Sequence, residues 1–333
     1  MERDLKNKVV VITGGAQGIG HAIAIKFLTQ SAKVIILDLN ERKGNEVVKT
    51  LAAKFGDDRV AFIKCDVTKD LDEVSSKIFK DYKHIDVLVN NAGIANELDL
   101  RAILEVNTIA VIEWTMKFRE HMRTDKGGKG GTIINMSSLY GYVCDAFLPF
   151  YKASKHAVLG FTKTIGHERN YSMTGVRVVA ICPGYTKSQL TDNIKNKDVK
   201  IPEEDKEDYA EYVKTMLWQE VDVVGNATEE VFRVADSGSS WAVIGGQPIE
   251  KQHKTAHHPL LDIGRPYLSD SGDPHQIVSP PHGGPAYAAS PGSWSPLQNF
   301  SAPTAISSTS YVPCPLPLEF RNSKGYDVQL ILL

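Results

Sequence analysis

Tyr151 and Lys155 stand four residues apart in Tyr151-Lys152-Ala153-Ser154-Lys155. On a helix that spacing places the phenol and the ammonium on one face. A free phenol with a pKa of about 10 is a poor base at neutral pH. A cation beside it favours the phenolate and turns it into a usable proton acceptor. Ser138 lies thirteen residues upstream, closing the apolar run Thr132-Ile133-Ile134-Asn135-Met136-Ser137. That run reads as a buried parallel strand, and α/β proteins place their chemistry at such strand ends. The same Tyr/Lys spacing also describes an ordinary surface pair, so the surrounding elements decide its meaning.

Those elements begin at the N-terminus. Lys8-Val9-Val10-Val11-Ile12-Thr13 is rich in β-branched residues and runs into Gly14-Gly15-Ala16-Gln17-Gly18-Ile19-Gly20, after which His21–Leu28 reads as a helix with an apolar face. Strand, glycine turn and helix form the context of a dinucleotide loop. The glycines let the backbone approach a pyrophosphate, and the helix N-terminus supplies N–H groups and partial positive charge. The next strand, Lys33–Asp38, ends in a carboxylate 18 residues after Gly20. An acid there suits the two ribose hydroxyls of NAD and repels the 2′-phosphate of NADP. Arg42 and Lys43 are close enough in sequence to bind that phosphate, but their place on the following helix reads as solvated charge.

Read in order, Thr13-Gly14-x-x-x-Gly18-Ile19-Gly20, Asp38, Cys65-Asp66-Val67, Asn90-Asn91-Ala92-Gly93, Asn107, Ser138, Tyr151-x-x-x-Lys155 and Pro183-Gly184 resemble the short-chain dehydrogenase/reductase family over about residues 5–250. Gly127-Gly128-Lys129-Gly130-Gly131 through Leu139, with Ala180-Ile181-Cys182-Pro183-Gly184, is similar to the branch of NAD-dependent 15-hydroxyprostaglandin dehydrogenases and insect-type alcohol dehydrogenases. The resemblance implies a Rossmann-type, doubly wound parallel sheet of seven strands with helices on both faces. It implies a homodimer built on the helices near 98–124 and 150–170, where Ile103, Val106, Ile109, Ala110 and Ile112 are more apolar than one core-facing stripe requires. In the prostaglandin enzymes a glutamine stands three residues before the catalytic tyrosine. Here that position is Leu148, which cannot make the glutamine's hydrogen bond, so prostaglandin specificity is in question while the hydride chemistry is not.

The resemblance also implies roles. Tyr151 is the general base in alcohol oxidation, Lys155 lowers its pKa and binds the nicotinamide ribose, and Ser138 holds the substrate oxygen. Asn107 holds a water that connects Lys155 to solvent. Gly14, Gln17, Gly18, Ile19, Gly20, Asp38, Leu39, Asp66, Val67, Asn91, Pro183 and Thr186 line the NAD site together with Tyr151 and Lys155. Leu148 and Tyr185 line the substrate pocket. A lid over 187–217 begins polar, with Lys187, Lys195, Lys197 and Lys200, and continues with an apolar face of Tyr209, Tyr212, Met216, Leu217 and Trp218. With Phe147, Leu148 and Phe150 it points to an apolar or long-chain secondary alcohol, or the matching ketone. The alternatives are a catalytically silent NAD-binding sensor or scaffold, which such relatives become by losing the Tyr or Lys, and an interaction protein acting through its tail.

Composition sets the remaining bounds. The chain has 333 residues, 42% of them hydrophobic, and a net charge of −2. That is ample for one large core and gives no sign of a nucleic-acid surface. The charged opening Met1–Lys8 is unlike a signal peptide, and no apolar run reaches the roughly 20 residues of a membrane helix. Cytoplasmic localisation is the expectation. Cys65, Cys144, Cys182 and Cys314 lack metal-type spacing and read as buried, reduced thiols. Predicted strands fall near 8–13, 33–38, 60–65, 85–90, 131–137, 176–182 and 240–245. Predicted helices fall near 18–31, 41–55, 70–82, 98–124, 150–170, 203–220 and 226–236, the last capped by Asn226 with Glu229. Residues 251–333 hold twelve of the sixteen prolines and half of the ten histidines, with five acids and five bases. Such a segment cannot bury enough apolar surface to fold alone and is expected to be disordered. Within it, His253, His257 and His258 invite a metal reading and Pro313–Pro317 an SH3-like ligand reading, but solvated tail is preferred for both.

Overall fold

Near-continuous β-branched runs build the centre of a sheet, because strands covered on both faces need apolar side chains in both directions. The computed structural model describes residues 3–191, 200–245, 247–252, 319–321 and 327–329. The chain divides into two units, Met1–Gly264 and Arg265–Leu333.

In the first unit the strands are β1 (Val9–Thr13), β2 (Lys33–Asp38), β3 (Val60–Lys64), β4 (Val87–Asn90), β5 (Gly131–Met136), β6 (Val176–Pro183), β7 (Ser240–Val243) and β8 (Glu250–Gln252). They form one sheet of order β3-β2-β1-β4-β5-β6-β7-β8. The first seven are parallel, and the order reverses between β1 and β4. Crevices at such a reversal are where open α/β sheets bind ligands. Strand β8 was not expected. It pairs antiparallel with β7, Trp241 opposite Lys251, so the first residues assigned to the tail belong to the sheet.

Alternation along each strand separates two cores. Val10, Ile12, Val34 and Ile36 face helices α1 (Gly18–Thr29), α2 (Glu41–Phe55) and α9 (Val221–Val234), whereas Val11, Ile35 and Leu37 face α3 (Leu71–Tyr82) and α5 (Ala110–Met122). Among the described residues the other complete α-helices of this unit are α4 (Leu100–Leu104), α6 (Pro149–Ile165), α7 (Glu168–Thr174) and α8 (Lys206–Lys214).

Five expectations change. The helix predicted over 98–124 is α4 and α5 joined by a π-helical turn, Glu105–Ile109. The helix over 150–170 ends at Ile165, because Gly166 packs against the Gly238 backbone, where a Cβ would approach to 2.6 Å. Asn226 and Glu229 do not cap a helix start, since α9 begins at Val221. Packing decides that start: Gly225 lies against the Ala22 backbone of α1, and Glu229 pairs with Arg233 at 3.1 Å. The lid helix spans only Lys206–Lys214, with Leu217 beyond it 59% exposed. Of the thiols, Cys65 and Cys182 are buried but Cys144 is exposed.

Arg177 is the most deeply buried charged group outside the site among the described residues, 1% exposed. Arg177 on β6 donates to Thr132 Oγ1 and to the carbonyls of Phe232 and Ala235 at the end of α9. A cation there complements the negative end of the helix dipole, and burial pulls its pKa down to about 9.

In the second unit the described residues are Glu319–Arg321 (β9) and Asp327–Gln329 (β10), paired antiparallel with Phe320 opposite Val328. The predicted disorder, the histidine cluster, Cys314 and the proline motif fall outside the described residues. Among the described residues no helix is long and apolar enough to cross a membrane, and no group of three or more ligating side chains gathers as a metal site would.

Candidate active site

The glycine turn between β1 and α1 is fixed by its neighbours. Gly14 has φ +63°, and a Cβ there would sit 2.9 Å from Ala92 Cα; at Gly20 it would lie 2.3 Å from the Gly14 carbonyl oxygen. Asn91, just past β4, donates its side-chain amide to the carbonyls of Thr13 (3.1 Å) and Gly14 (3.0 Å). Thr13 Oγ1 in return accepts the backbone N–H groups of Asn91 and Ala92. Asn91 is therefore a brace for the loop as well as a lining residue. Gln17, at the cap of α1, makes no side-chain bond to the first turn, and that turn carries no acid. The helix N–H groups remain available to an anion.

Asp38 ends β2 beside this turn. Its carboxylate accepts the N–H groups of Ala16 (3.1 Å) and Asn40 (3.0 Å), each taking one oxygen and leaving lone pairs for further donors. Asp66 accepts from the Thr68 hydroxyl at 2.7 Å and pairs with Lys69 at 3.0 Å. Burial alone would raise its pKa, but Thr68 and Lys69 hold it below the usual carboxylate range.

A cavity of about 370 Å³ runs from this loop to Tyr151 and Lys155. Gly14, Gln17, Gly18, Ile19, Asp38, Leu39, Asp66, Val67 and Asn91 line its first part; Ser138, Leu148, Tyr151, Lys155, Pro183, Tyr185 and Thr186 line the rest. Gly20 and Asn107 stand behind the wall. Asn107 is fully buried in the π-helical turn. Its Oδ1 accepts from Ile94 N–H, and its Nδ2 donates to the Ile94 carbonyl and to Ser154 Oγ. The turn widens the helix at this point and lets the amide clamp the segment after β4 against α6.

Tyr151 and Lys155 share the inner face of α6, as their spacing predicted. Lys155 Nζ lies 5.5 Å from the Tyr151 ring centre and donates to the Met136 carbonyl at 3.0 Å. The Tyr151 phenol hydrogen-bonds to Ser138. The electrostatics differ from the expectation that the lysine lowers the tyrosine's pKa. Burial pushes Tyr151 up to about 12, with the Ser138 bond opposing it. Burial also pulls Lys155 down to about 8. Low dielectric disfavours both charged forms, and at this separation the ammonium does not overcome it.

Two features were missed in the sequence. Leu148 precedes α6 with φ +55° and ψ +51°, a left-handed conformation that costs a non-glycine residue about 1 kcal/mol, and it has no side-chain acceptor for the helix. Glu97 supplies one. Its carboxylate, 6% exposed, accepts the N–H of Phe150 at 2.8 Å and of Tyr151 at 2.7 Å. Its own N–H donates to the Lys200 carbonyl at 2.7 Å, tying the cap to the lid. Second, Lys152 forms a buried ion pair with Asp145, which also accepts from the Tyr212 hydroxyl at 2.9 Å. Burial would raise the Asp145 pKa, but Lys152, the Phe147 N–H and Tyr212 keep it low.

The described part of the segment expected to form a lid packs on aromatic contacts. Tyr209 and Val213 are buried with Tyr140, Leu148 and Ile201, and Phe147, Tyr151, Tyr185, Tyr212 and Trp218 pack around them. Trp218 meets Tyr185 at 5.2 Å between ring centres. Lys195 and Lys197 lie outside the described residues.

The short chain dehydrogenase family profile matches residues 8–199. The chain is 38% identical over 218 residues to the human 15-hydroxyprostaglandin dehydrogenase [NAD(+)], covering 64% of this chain and 80% of that protein. It is 32% identical to alcohol dehydrogenase 2 of Ceratitis cosyra, over 58% of this chain and 75% of that one. Among solved structures, levodione reductase matches with TM-score 0.63 at 22% identity, over 74% of this chain and 98% of that one. A 3-ketoacyl-(acyl-carrier-protein) reductase from Brucella melitensis complexed with NADH matches with TM-score 0.61 at 24% identity, over 73% and 99%. At those identities the structural matches speak for the fold.

Proposed function

The chain belongs to the short-chain dehydrogenase family, and from that premise we propose that Tyr151, Lys155, Ser138 and Asn107 form its catalytic tetrad. The protein is an NAD-dependent oxidoreductase acting on alcohols. The observation that carries the assignment is one cavity joining an unclaimed helix N-terminus and the Asp38 carboxylate to a buried Tyr/Lys/Ser cluster.

The residues fit the cofactor. The first turn of α1 would hold the pyrophosphate, Asp38 the adenosine ribose, Asp66 and Val67 the adenine side, and Lys155 the nicotinamide ribose. Thr186, fixed by Gln219 at 3.1 Å, would hold the carboxamide beside Pro183. NAD, when bound, supplies the hydride acceptor and a positive ring. Ser138 orients the alcohol oxygen and stabilises the charge that develops on it. Tyr151 removes the hydroxyl proton. Ser138, and the positive ring of NAD when it is bound, favour the phenolate that burial opposes. Asn107 keeps the backbone at Ile94 in place beside Lys155, where the family resemblance puts a proton-relaying water.

The finer features are proposals too. The enzyme domain ends near residue 250, with 251–333 as a tail. The substrate is an apolar secondary alcohol, since Leu148 replaces the polar group that prostaglandin enzymes use. The homodimer forms through α5 and α6. On α6, Ala153, Ala157 and Gly160 make an exposed stripe of small residues, and Ile109, closing the π-helical turn, and Met116 on α5 are exposed. Ile103 and Ala110 turn into the protein's own core instead. Cytoplasmic localisation follows from the same reading. A screen of NADH formation over secondary alcohols, eicosanoids, retinoids, isoprenoids and steroids tests the function. No NADH from any class would leave the silent NAD-binding reading.

A further inference from the structure

Gln219 lies between α8 and α9, 4% exposed and behind the described residues that line the cavity. Its backbone brackets Thr186. The Gln219 N–H donates to the Tyr185 carbonyl at 2.9 Å, and the Gln219 carbonyl accepts the Lys187 N–H at 2.8 Å. Its side-chain Nε2 donates to Thr186 Oγ1 at 3.1 Å and to the carbonyl of Val243, at the end of β7, at 2.8 Å. Gly245 makes room for this side chain, since a Cβ there would lie 3.0 Å from Gln219 Cβ. Gln219 Oε1 is buried without a partner among the described residues, so the amide is held by its two donated bonds. Turning it over would set its oxygen against the Val243 carbonyl and lose that bond.

Thr186 Oγ1 also bonds to the Gly184 carbonyl at 3.0 Å. The partners fix both directions. A carbonyl only accepts, so the hydroxyl gives its proton to Gly184; an amide nitrogen only donates, so the hydroxyl offers Gln219 a lone pair. A hydroxyl has one proton and two lone pairs. In the described bonds Thr186 has therefore used its proton and one lone pair. The other lone pair is what it can present to the cavity it lines. An acceptor placed there favours an N–H and is set against a carbonyl oxygen.

We propose that Gln219 is a positioning residue that sets the Thr186 hydroxyl as an acceptor, so that the site recognises the pyridine substituent of its dinucleotide by the amino group of the carboxamide. This rests on the reading of Thr186 as the partner of that carboxamide. Dinucleotides whose pyridine substituent carries an N–H are held; those whose substituent offers a carbonyl alone are discriminated against. Gln219 itself touches neither, and acts through the direction it imposes on Thr186.

The test measures dissociation constants of the full chain by titration calorimetry for NAD, its thionicotinamide analogue, its acetylpyridine analogue and ADP-ribose. The thionicotinamide keeps the amino group and exchanges the oxygen for sulfur. The acetylpyridine keeps the carbonyl and carries a methyl in place of the amino group. ADP-ribose has no pyridine and reports on the rest of the site. In the wild type, NAD and the thionicotinamide analogue should bind within about threefold of each other, with the acetylpyridine analogue about tenfold weaker, the cost of leaving a buried acceptor unmet. Thr186→Val removes the hydroxyl and should draw the ratio of NAD to acetylpyridine affinity toward unity. Gln219→Met releases the hydroxyl and should lower the same ratio, with little further change when combined with Thr186→Val. Gln219→Glu keeps the shape but has at most one proton for two acceptors, and should act likewise. ADP-ribose affinity should stay near the wild-type value throughout. A residue that only supports the fold would weaken ADP-ribose together with the dinucleotides and leave the ratio standing. That result in both Gln219 variants, a wild-type ratio near unity, or a preference for the acetylpyridine analogue would overturn the proposal. A wild-type chain that fails to bind ADP-ribose would instead bring down the NAD-site reading beneath it, and the proposal with it.

Discussion

Replacing Lys155 by methionine should make the protein more stable while destroying its activity. The ammonium is 5% exposed and donates only to the Met136 carbonyl among the bonds described. Burial lowers its pKa from 10.5 to about 8. That gap corresponds to about 3 kcal/mol of destabilisation at neutral pH. The sign follows from proton binding: the folded value lies below the unfolded one, so between about pH 8 and pH 10.5 the unfolded chain binds more protons and stability rises with pH. Methionine fills a similar volume without charge but gives up one hydrogen bond, worth about 1 kcal/mol. The net gain near pH 7 is about 2 kcal/mol, or roughly 4–8 °C in melting temperature for a domain of this size. The gain should shrink as pH climbs from about 8, where folded wild-type Lys155 begins to shed its proton, toward about 10.5. Thermal melts of both proteins across this range measure it directly. A methionine variant that melts lower than wild type near pH 7, or a difference indifferent to pH, would refute the claim that Lys155 is a buried charge held for function.

Further expectations concern the surroundings. Asp38→Ala should shift the NAD over NADP preference by roughly 10–100-fold in kcat/KM, the value of hydrogen bonds to a charged acceptor, with some loss of NAD affinity because Ala16 N–H also loses its partner; an unchanged ratio would place cofactor choice elsewhere. Glu97→Ala should cost about 2 kcal/mol in denaturant unfolding, as caps do, and lower kcat more than it weakens NAD binding, because the bonds it removes seat the backbone of Tyr151 itself. Ala157→Arg places a cation in the small-residue stripe of α6 and should convert a dimer into a monomer of about 37 kDa by light scattering; a monomeric wild type with full activity would dismiss the interface.

What could be read from the chain, and what could not, divides by the range of the interaction. The glycine loop, Asp38, Ser138 and the Tyr151/Lys155 pair sit at strand ends or one helical turn apart, so spacing alone placed them around one cavity. The π-helical turn at Asn107 left no trace because 98–124 contains no glycine or proline to break its pattern. Glu97 caps a helix 53 residues away, and Tyr212 donates to Asp145 across 67 residues, joining two segments with no common period. Such pairings exist only once the sheet has folded. Asn226 shows the converse error: a plausible local cap lost to the packing of Gly225 on α1. The lysine's effect on the tyrosine was misjudged because sequence shows a neighbouring charge but not the burial that opposes it.

The central claim is that Tyr151 is the base of an NAD-dependent alcohol oxidation. The most direct test is NADH formation from secondary alcohols by wild type and Tyr151→Phe, with NAD titrations of both. The phenylalanine ring keeps the packing against Tyr140 and removes only the hydroxyl. Turnover should fall by about 100-fold or more, the usual cost of losing a general base, with NAD affinity nearly unchanged. A variant that stays within about tenfold of wild type would contradict the account.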